Sequence, residues 1–151
     1  GNDIQARADM ALASTLAGVA FMNGGLGIVH GISQTLGAIA HVAHGEANAL
    51  LLPYCMEKNA PACPERFWDI AQTLGEDVST LSNKEAAKLA AKAAFRLAED
   101  LHIPTKLHEV GVTREMFDAI VEGTMAYRML SINPMKITEQ DVRDILEAAY
   151  A

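Results

Sequence analysis

The sequence predicts an all-α protein, and three observations support this. Half of the 151 residues are hydrophobic but only 5% are aromatic. Alanine and leucine supply most of the apolar residues, and both favour helices over sheets. No stretch shows the alternation of apolar and polar residues that is typical of a half-buried strand. We expect one helical domain over residues 1–151, with about six to seven helices around a buried apolar helix pair.

The first part of the chain is predicted to form three apolar helices. No Asp, Glu, Lys or Arg occurs from Met10 to Gly45. Asp3 opens the first helix, and the sequence NGG ends it. The first two of these helices would form the buried central pair, against which the later amphipathic helices pack. The predicted ranges are 4–22, 26–40 and 45–58.

The second part of the chain is charged and marks its helix ends more clearly. Pro64 occupies a first-turn position of a helix that ends at Gly75. Thr113 is predicted to cap a later helix. Two helices follow predicted capping boxes, Ser82 with Glu85 and Thr138 with Asp141. Their predicted buried stripes are Ala86, Leu89, Ala93, Leu97 and Leu101 in one helix, and Val142, Ile145, Leu146 and Ala149 in the other.

Composition narrows the range of partners and compartments. A net charge of −7 argues against a nucleic-acid surface, which needs a basic stripe to neutralise phosphates. The chain also has no polybasic patch for anionic lipid. Cys55 and Cys63 are too few for a disulfide scaffold, and no CxxC pair is present. We therefore expect a cytoplasmic protein with no nucleic-acid or membrane partner.

The long uncharged run could also form a membrane hairpin. The first helix has a charge as late as Asp9, so its neutral run is shorter than the roughly 20 residues that a bilayer requires. The second helix contains residues that are expensive in hydrocarbon. These residues are His30, Ser33, Gln34, Thr35 and His41. A buried core is therefore favoured over a membrane hairpin.

Histidines are concentrated in and after the second helix. His30 and Gln34 lie one turn apart on one helix face, and His41 would fall near that face if the helix continued. His44 stands at the start of the third helix. A single histidine of this kind is usually a core imidazole bonded to a backbone carbonyl, whereas a group of them can share a divalent metal. The spacing matches no compact metal motif such as HExxH.

The motifs around these histidines resemble a known family. The segment LASTLAGVAFMNGGLGIVHGISQTLGAIAHVAHGEANALLLPYCMEKN closely resembles the signature region of the iron-containing, or group III, alcohol dehydrogenases. The family pattern is AGxAFxNAGLGxxHAxxHxLG followed by HGxxNAxLLPxVMxxN. The tail SINPMKITEQDVRDILEAAYA is similar to the family ending NPRxxTxEDIxxILxxA. The resemblance therefore spans essentially the whole chain.

The resemblance implies a two-domain enzyme with a dehydroquinate synthase-like fold. Its N-terminal Rossmann-like domain binds NAD or NADP, and its helical C-terminal domain holds Fe(II) or Zn(II). By this resemblance, His30 and His44 are metal ligands, and the apolar helices around His30 exclude water. The family's other ligands, in a DxxxHxxE pattern, and its glycine-rich nucleotide turn are not found in these 151 residues. The chain is thus expected to be part of the helical domain, with the nucleotide-binding domain missing.

The implied activity is metal-assisted hydride transfer between NAD(P) and small alcohols, aldehydes or ketones. At position 34 the family usually has a histidine with a proton-relay role, but Gln34 cannot exchange a proton near neutral pH. We expect Gln34 to line the site and the isolated chain to be inactive. The alternative, which Gln34 favours, is a non-catalytic helical interaction module. An apolar face left exposed by the missing part would favour a homo-oligomer, with a dimer as the simplest form.

Overall fold

The computed structural model describes residues 1–151 and contains seven α-helices and no β-strand, which confirms the all-α prediction. Each of the predicted helices is present, with ends shifted by a few residues. The helices are α1 (Ile4–Gly24), α2 (Ile28–Ala40), α3 (His44–Asn59), α4 (Pro64–Thr73), α5 (Asn83–Asp100), α6 (Phe117–Met125) and α7 (Glu139–Tyr150). Short 3₁₀ helices cover Ala60–Ala62, Leu107–Val110, Arg114–Met116 and Arg128–Ile132.

Local capping signals explain two of the helix starts. The Glu85 carboxylate accepts a hydrogen bond from the Ser82 backbone N–H at 2.9 Å, and the Ser82 hydroxyl accepts one from the Glu85 N–H. Thr138 and Asp141 repeat this arrangement at the start of α7. The predicted cap at Thr113 is wrong, because a 3₁₀ turn intervenes before α6 and the threonine side chain makes no capping hydrogen bond.

The larger of two cores lies where α2 and α3 meet α6 and α7. Ile28, Ile32 and Leu36 project from α2 into this core and are fully buried. All four residues of the predicted α7 stripe are buried against it, which confirms that stripe. A smaller core joins α4 to α5 through Phe67, Ala71 and the alanines of α5.

The position of α1 differs from the prediction. None of its residues is buried, and Leu16 is 59% exposed and Met22 78% exposed. The pair of helices in the centre is α2 with α3, so the expected pairing of the first two helices is wrong. At Gly25 the backbone has a φ of 78°, and the chain bends by 109° between α1 and α2. This bend carries α1 away from the core.

The predicted stripe of α5 is only partly correct. Leu97 is 49% and Leu101 61% exposed, whereas Ala90 and Ala91 are buried in their place. The reason is that α5 packs against both α3 and α4, so that small side chains permit close approach on two sides. Leu97 and Leu101 therefore lie on the outer side of α5.

No single helix of the chain is long and apolar enough to cross a membrane. Only α1 and α2 taken together meet the criteria of length and composition, and the sharp bend separates them.

Candidate metal centre

The rings of two histidines from successive helices lie close together. His30 lies in the first turn of α2, and His44 is the first residue of α3. Between them α2 ends at His41, whose left-handed backbone (φ of 56°) turns the chain back on itself. The ring centroids of His30 and His44 lie 5.1 Å apart with an interplanar angle of 63°. The tertiary structure thus brings together two imidazoles that are fourteen residues apart in sequence.

The environment favours neutral imidazole at His30. Its side chain is half-buried, and burial lowers its pKa below the ordinary value, with a further lowering from the charge of His44. A neutral ring keeps a nitrogen lone pair that can bind a metal.

Asn48 also contacts this pair of histidines. Its side-chain amide lies 3.0 Å from His44 Nε2, and the tautomer of the ring decides which group donates the hydrogen bond. Asn48 Oδ1 is buried without a hydrogen-bond partner. The signal in the sequence was the four-residue spacing from His44, which places both side chains on one helix face.

The other candidate side chains of the site are exposed to solvent. Gln34 lies one turn after His30 and is exposed, as are His41 and His44. The expectation that apolar helices around His30 exclude water applies to the intact enzyme and stays a prediction.

The structure allows a test of whether the residues present fit a divalent metal. Imidazole nitrogen suits both Fe(II) and Zn(II), and the His30–His44 geometry offers two such donors. No group of three or more His, Cys, Asp or Glu side chains that could hold a metal occurs in the chain. The fit is therefore partial: two imidazoles could contribute, and a stable site needs further ligands.

A buried amide network fixes the start of the helix that carries His30. Asn133 Oδ1 accepts a hydrogen bond from the Ile28 backbone N–H at 3.1 Å. The Asn133 Nδ2 donates to Asn59 Oδ1 at 2.7 Å and to the Met135 carbonyl at 2.9 Å. Asn133 therefore ties the N-terminus of α2 to the end of α3, the two helices that carry the histidines.

Comparison with known proteins identifies the family. A family model described as the C-terminal part of the Fe-containing alcohol dehydrogenase family matches residues 1–150. The chain belongs to the Fe-containing alcohol dehydrogenase family. This confirms the resemblance seen in the histidine motifs. The family model covers the C-terminal part of these enzymes, and in this chain that part is all-helical.

Individual members of the Fe-containing alcohol dehydrogenase family are similar over nearly the whole chain. The 1,3-propanediol dehydrogenase of Klebsiella pneumoniae is 41% identical over 150 residues, which are 99% of this chain and 39% of that protein. Lactaldehyde reductase of Escherichia coli K12 is 38% identical over 148 residues, which are 98% of this chain and 39% of that protein. The structure of an alcohol dehydrogenase from Oenococcus oeni matches with a TM-score of 0.96 and 41% identity, covering 99% of this chain and 39% of that one. The chain thus spans about two fifths of the length of these relatives.

Proposed function

We propose that this chain supplies two ligands, His30 and His44, to the metal site of an NAD(P)-dependent alcohol dehydrogenase. The observation that carries the proposal is the proximity of the two rings, whose centroids lie 5.1 Å apart although they belong to successive helices. The metal would be Fe(II) or Zn(II), and when bound it would supply Lewis-acid polarisation to an alcohol or carbonyl group. The substrates would be small alcohols and aldehydes, a class that includes the compounds named for 1,3-propanediol dehydrogenase and lactaldehyde reductase.

In this function the residues of the chain would hold the metal and orient the two imidazoles. The rigid turn at His41 fixes the separation of the two imidazoles, and Asn48 restrains the His44 ring through its amide. Half-burial lowers the pKa of His30, which favours the neutral ring that a cation needs. Gln34 would donate or accept a hydrogen bond at the substrate without transferring a proton. The hydride carrier, NAD or NADP, would bind to a part of the protein outside these residues.

The isolated chain should have no turnover. Two imidazoles leave a divalent ion largely coordinated by water, whereas catalytic sites usually offer three protein ligands. Appreciable NADH or NADPH oxidation with an aldehyde by this polypeptide alone would contradict this expectation.

The decisive experiment restores the upstream region of the protein and supplies Fe(II) or Zn(II). We expect NAD(P)H oxidation with small aldehydes, and a decrease of at least about a hundredfold in His30→Ala and in His44→Ala. His41→Asn is the matched control, because asparagine tolerates the left-handed backbone at that position. Bound metal is measured separately by atomic absorption after gel filtration. It should fall in the two alanine variants and remain unchanged in the control.

Two results would overturn the proposal. One is full metal content in both alanine variants, which would place the ligands elsewhere. The other is a metal-free, inactive protein even with the upstream region present. That second result would favour a non-catalytic helical module.

A further inference from the structure

A second surface, outside the histidine site, lies between α3 and α5. Two cavities of 380 Å³ and 340 Å³ are lined by these helices, and both include Glu57. The smaller cavity is lined on α5 by Lys84, Ala87 and Lys88, and the larger one by Ala91, Lys92, Phe95 and Arg96. The cavities therefore follow successive turns of one face of α5. We call the two cavities together the α3–α5 groove.

The groove has an apolar floor and a cationic rim. Ala87 and Ala91 are buried in the floor, where Phe95 packs edge-on against the Tyr54 ring with centroids 6.1 Å apart. The rim is a row of exposed cations at every fourth position of α5, namely Lys84, Lys88, Lys92 and Arg96. Because side chains four apart on a helix are neighbours, this row forms one edge of the groove.

Three of the four rim cations form no ion pair. Arg96 pairs with Glu76, but Lys84, Lys88 and Lys92 take part in none of the ion pairs of the structure. Glu57 is the single carboxylate that lines the groove. The chain as a whole has a net charge of −7, so this concentration of positive charge runs against its composition. An anionic partner would be attracted to this edge and repelled by most of the remaining surface.

The spacing of the rim indicates the form of that partner. Residues four apart on a helix are separated by about 6 Å along its axis, and alternate residues of a strand by about 6.6 Å. The row from Lys84 to Arg96 spans about 18 Å, the length of five to six extended residues. We propose that the α3–α5 groove binds an extended acidic polypeptide segment whose carboxylates, at alternate residues, lie along the α5 rim.

Glu57 helps to distinguish this partner from a nucleic acid. A phosphate backbone would bring negative charge to every position, including the one opposite Glu57. A peptide can place a neutral residue there and lay its side chains on the apolar floor formed around Ala87 and Ala91.

The test uses a fluorescein-labelled peptide in which three glutamates alternate with alanines, and follows its anisotropy at low salt. We expect saturable binding that weakens as NaCl is added. Lys88→Glu combined with Lys92→Glu should weaken binding by about tenfold or more. The matched control is Arg128→Glu combined with Lys136→Glu, which makes the same change in net charge at two exposed residues outside the groove. The control should bind within about twofold of the unaltered protein.

Several outcomes would overturn the proposal. Equal weakening by both double variants would show that only net charge matters. A single-stranded oligonucleotide that competes as well as the peptide would indicate a general polyanion site. Self-association that the Lys88 and Lys92 changes abolish, without any peptide binding, would assign the groove to a second copy of the chain. Circular dichroism melts confirm that each variant is folded, and Lys88→Gln with Lys92→Gln repeats the test without reversing charge.

Discussion

The side-chain oxygen of Asn133 accepts a hydrogen bond from the backbone N–H of Ile28 at 3.1 Å, across 105 residues of sequence. Ile28 is the first residue of α2, whose opening N–H groups have no partner within the helix. The neighbouring Gly27 provides no capping side chain. A residue near the C-terminus thus caps the helix that carries His30.

Replacing Asn133 with alanine should destabilise the protein by about 2–4 kcal/mol, because buried partners on three segments lose their hydrogen bonds at once. The free energy of unfolding in urea measures this effect. Asn83→Ala, at an exposed position of α5, should change it by less than about 0.5 kcal/mol. Equal stabilities of the two variants would contradict the role of the amide network.

Gly27→Ala tests the same contact from the other side. A Cβ at position 27 would lie 2.5 Å from Asn133 Oδ1, so the amide must move. We expect Gly27→Ala to lower the free energy of unfolding by about 1–3 kcal/mol in the unaltered protein. In the Asn133→Ala background the decrease should be smaller by about 1 kcal/mol or more. As a control, Gly45→Ala meets no atom within 4 Å and should be neutral or stabilising. If the losses of stability caused by Gly27→Ala and Asn133→Ala simply add in the double variant, the two residues are not in contact.

Asp141 should contribute to acid sensitivity. The Lys58 ammonium, together with the Thr138 hydroxyl and N–H, lowers the pKa of this carboxyl from 3.8 to about 2. A carboxyl with a lowered pKa stabilises the folded state above its unfolded value, and the contribution is lost as pH falls through the folded value. Asp141→Asn should therefore flatten the loss of stability between about pH 4 and pH 2. Asp69→Asn, which alters an exposed carboxyl, should leave the pH profile unchanged.

The two cysteines should differ in reactivity. Cys55 is fully buried, and burial strongly raises the pKa of its thiol, so little thiolate forms. Cys63 is only half-buried and lies just before α4. A thiol reagent should modify one cysteine in the native protein and two in denaturant. Native labelling should disappear in Cys63→Ser and persist in Cys55→Ser, and the reverse pattern would refute the assignment.

The apolar surface of α1 should drive self-association without supporting the fold. Leu12 is 58% and Leu16 59% exposed, so changing both to lysine should alter stability by less than about 0.5 kcal/mol. Light scattering after gel filtration should show less dimer than for the unaltered chain. Gln5→Lys with Thr15→Lys adds the same charge to the polar positions of this helix and serves as the control. A large loss of stability in the leucine variant would mean that α1 packs against the body.

The candidate site could be predicted only in part. The histidine pair followed from motifs that surround His30 and His44, and its convergence needed only one short turn between adjacent helices. Asn133 could not be assigned, because its partner Ile28 is remote in sequence and no local pattern links them.

By itself the sequence determined the helices, their capping boxes and the family, because these depend on side chains within a few residues of one another or on contiguous motifs. Only the tertiary structure decided that α1 lies outside the core, that alanines rather than leucines fill the interior of α5, and that Asn133 caps α2. Burial is a property of two surfaces in contact. The alanine-rich face of α5 is buried because α3 and α4 pack closely against it. The sequence of α5 alone does not determine how near those helices come.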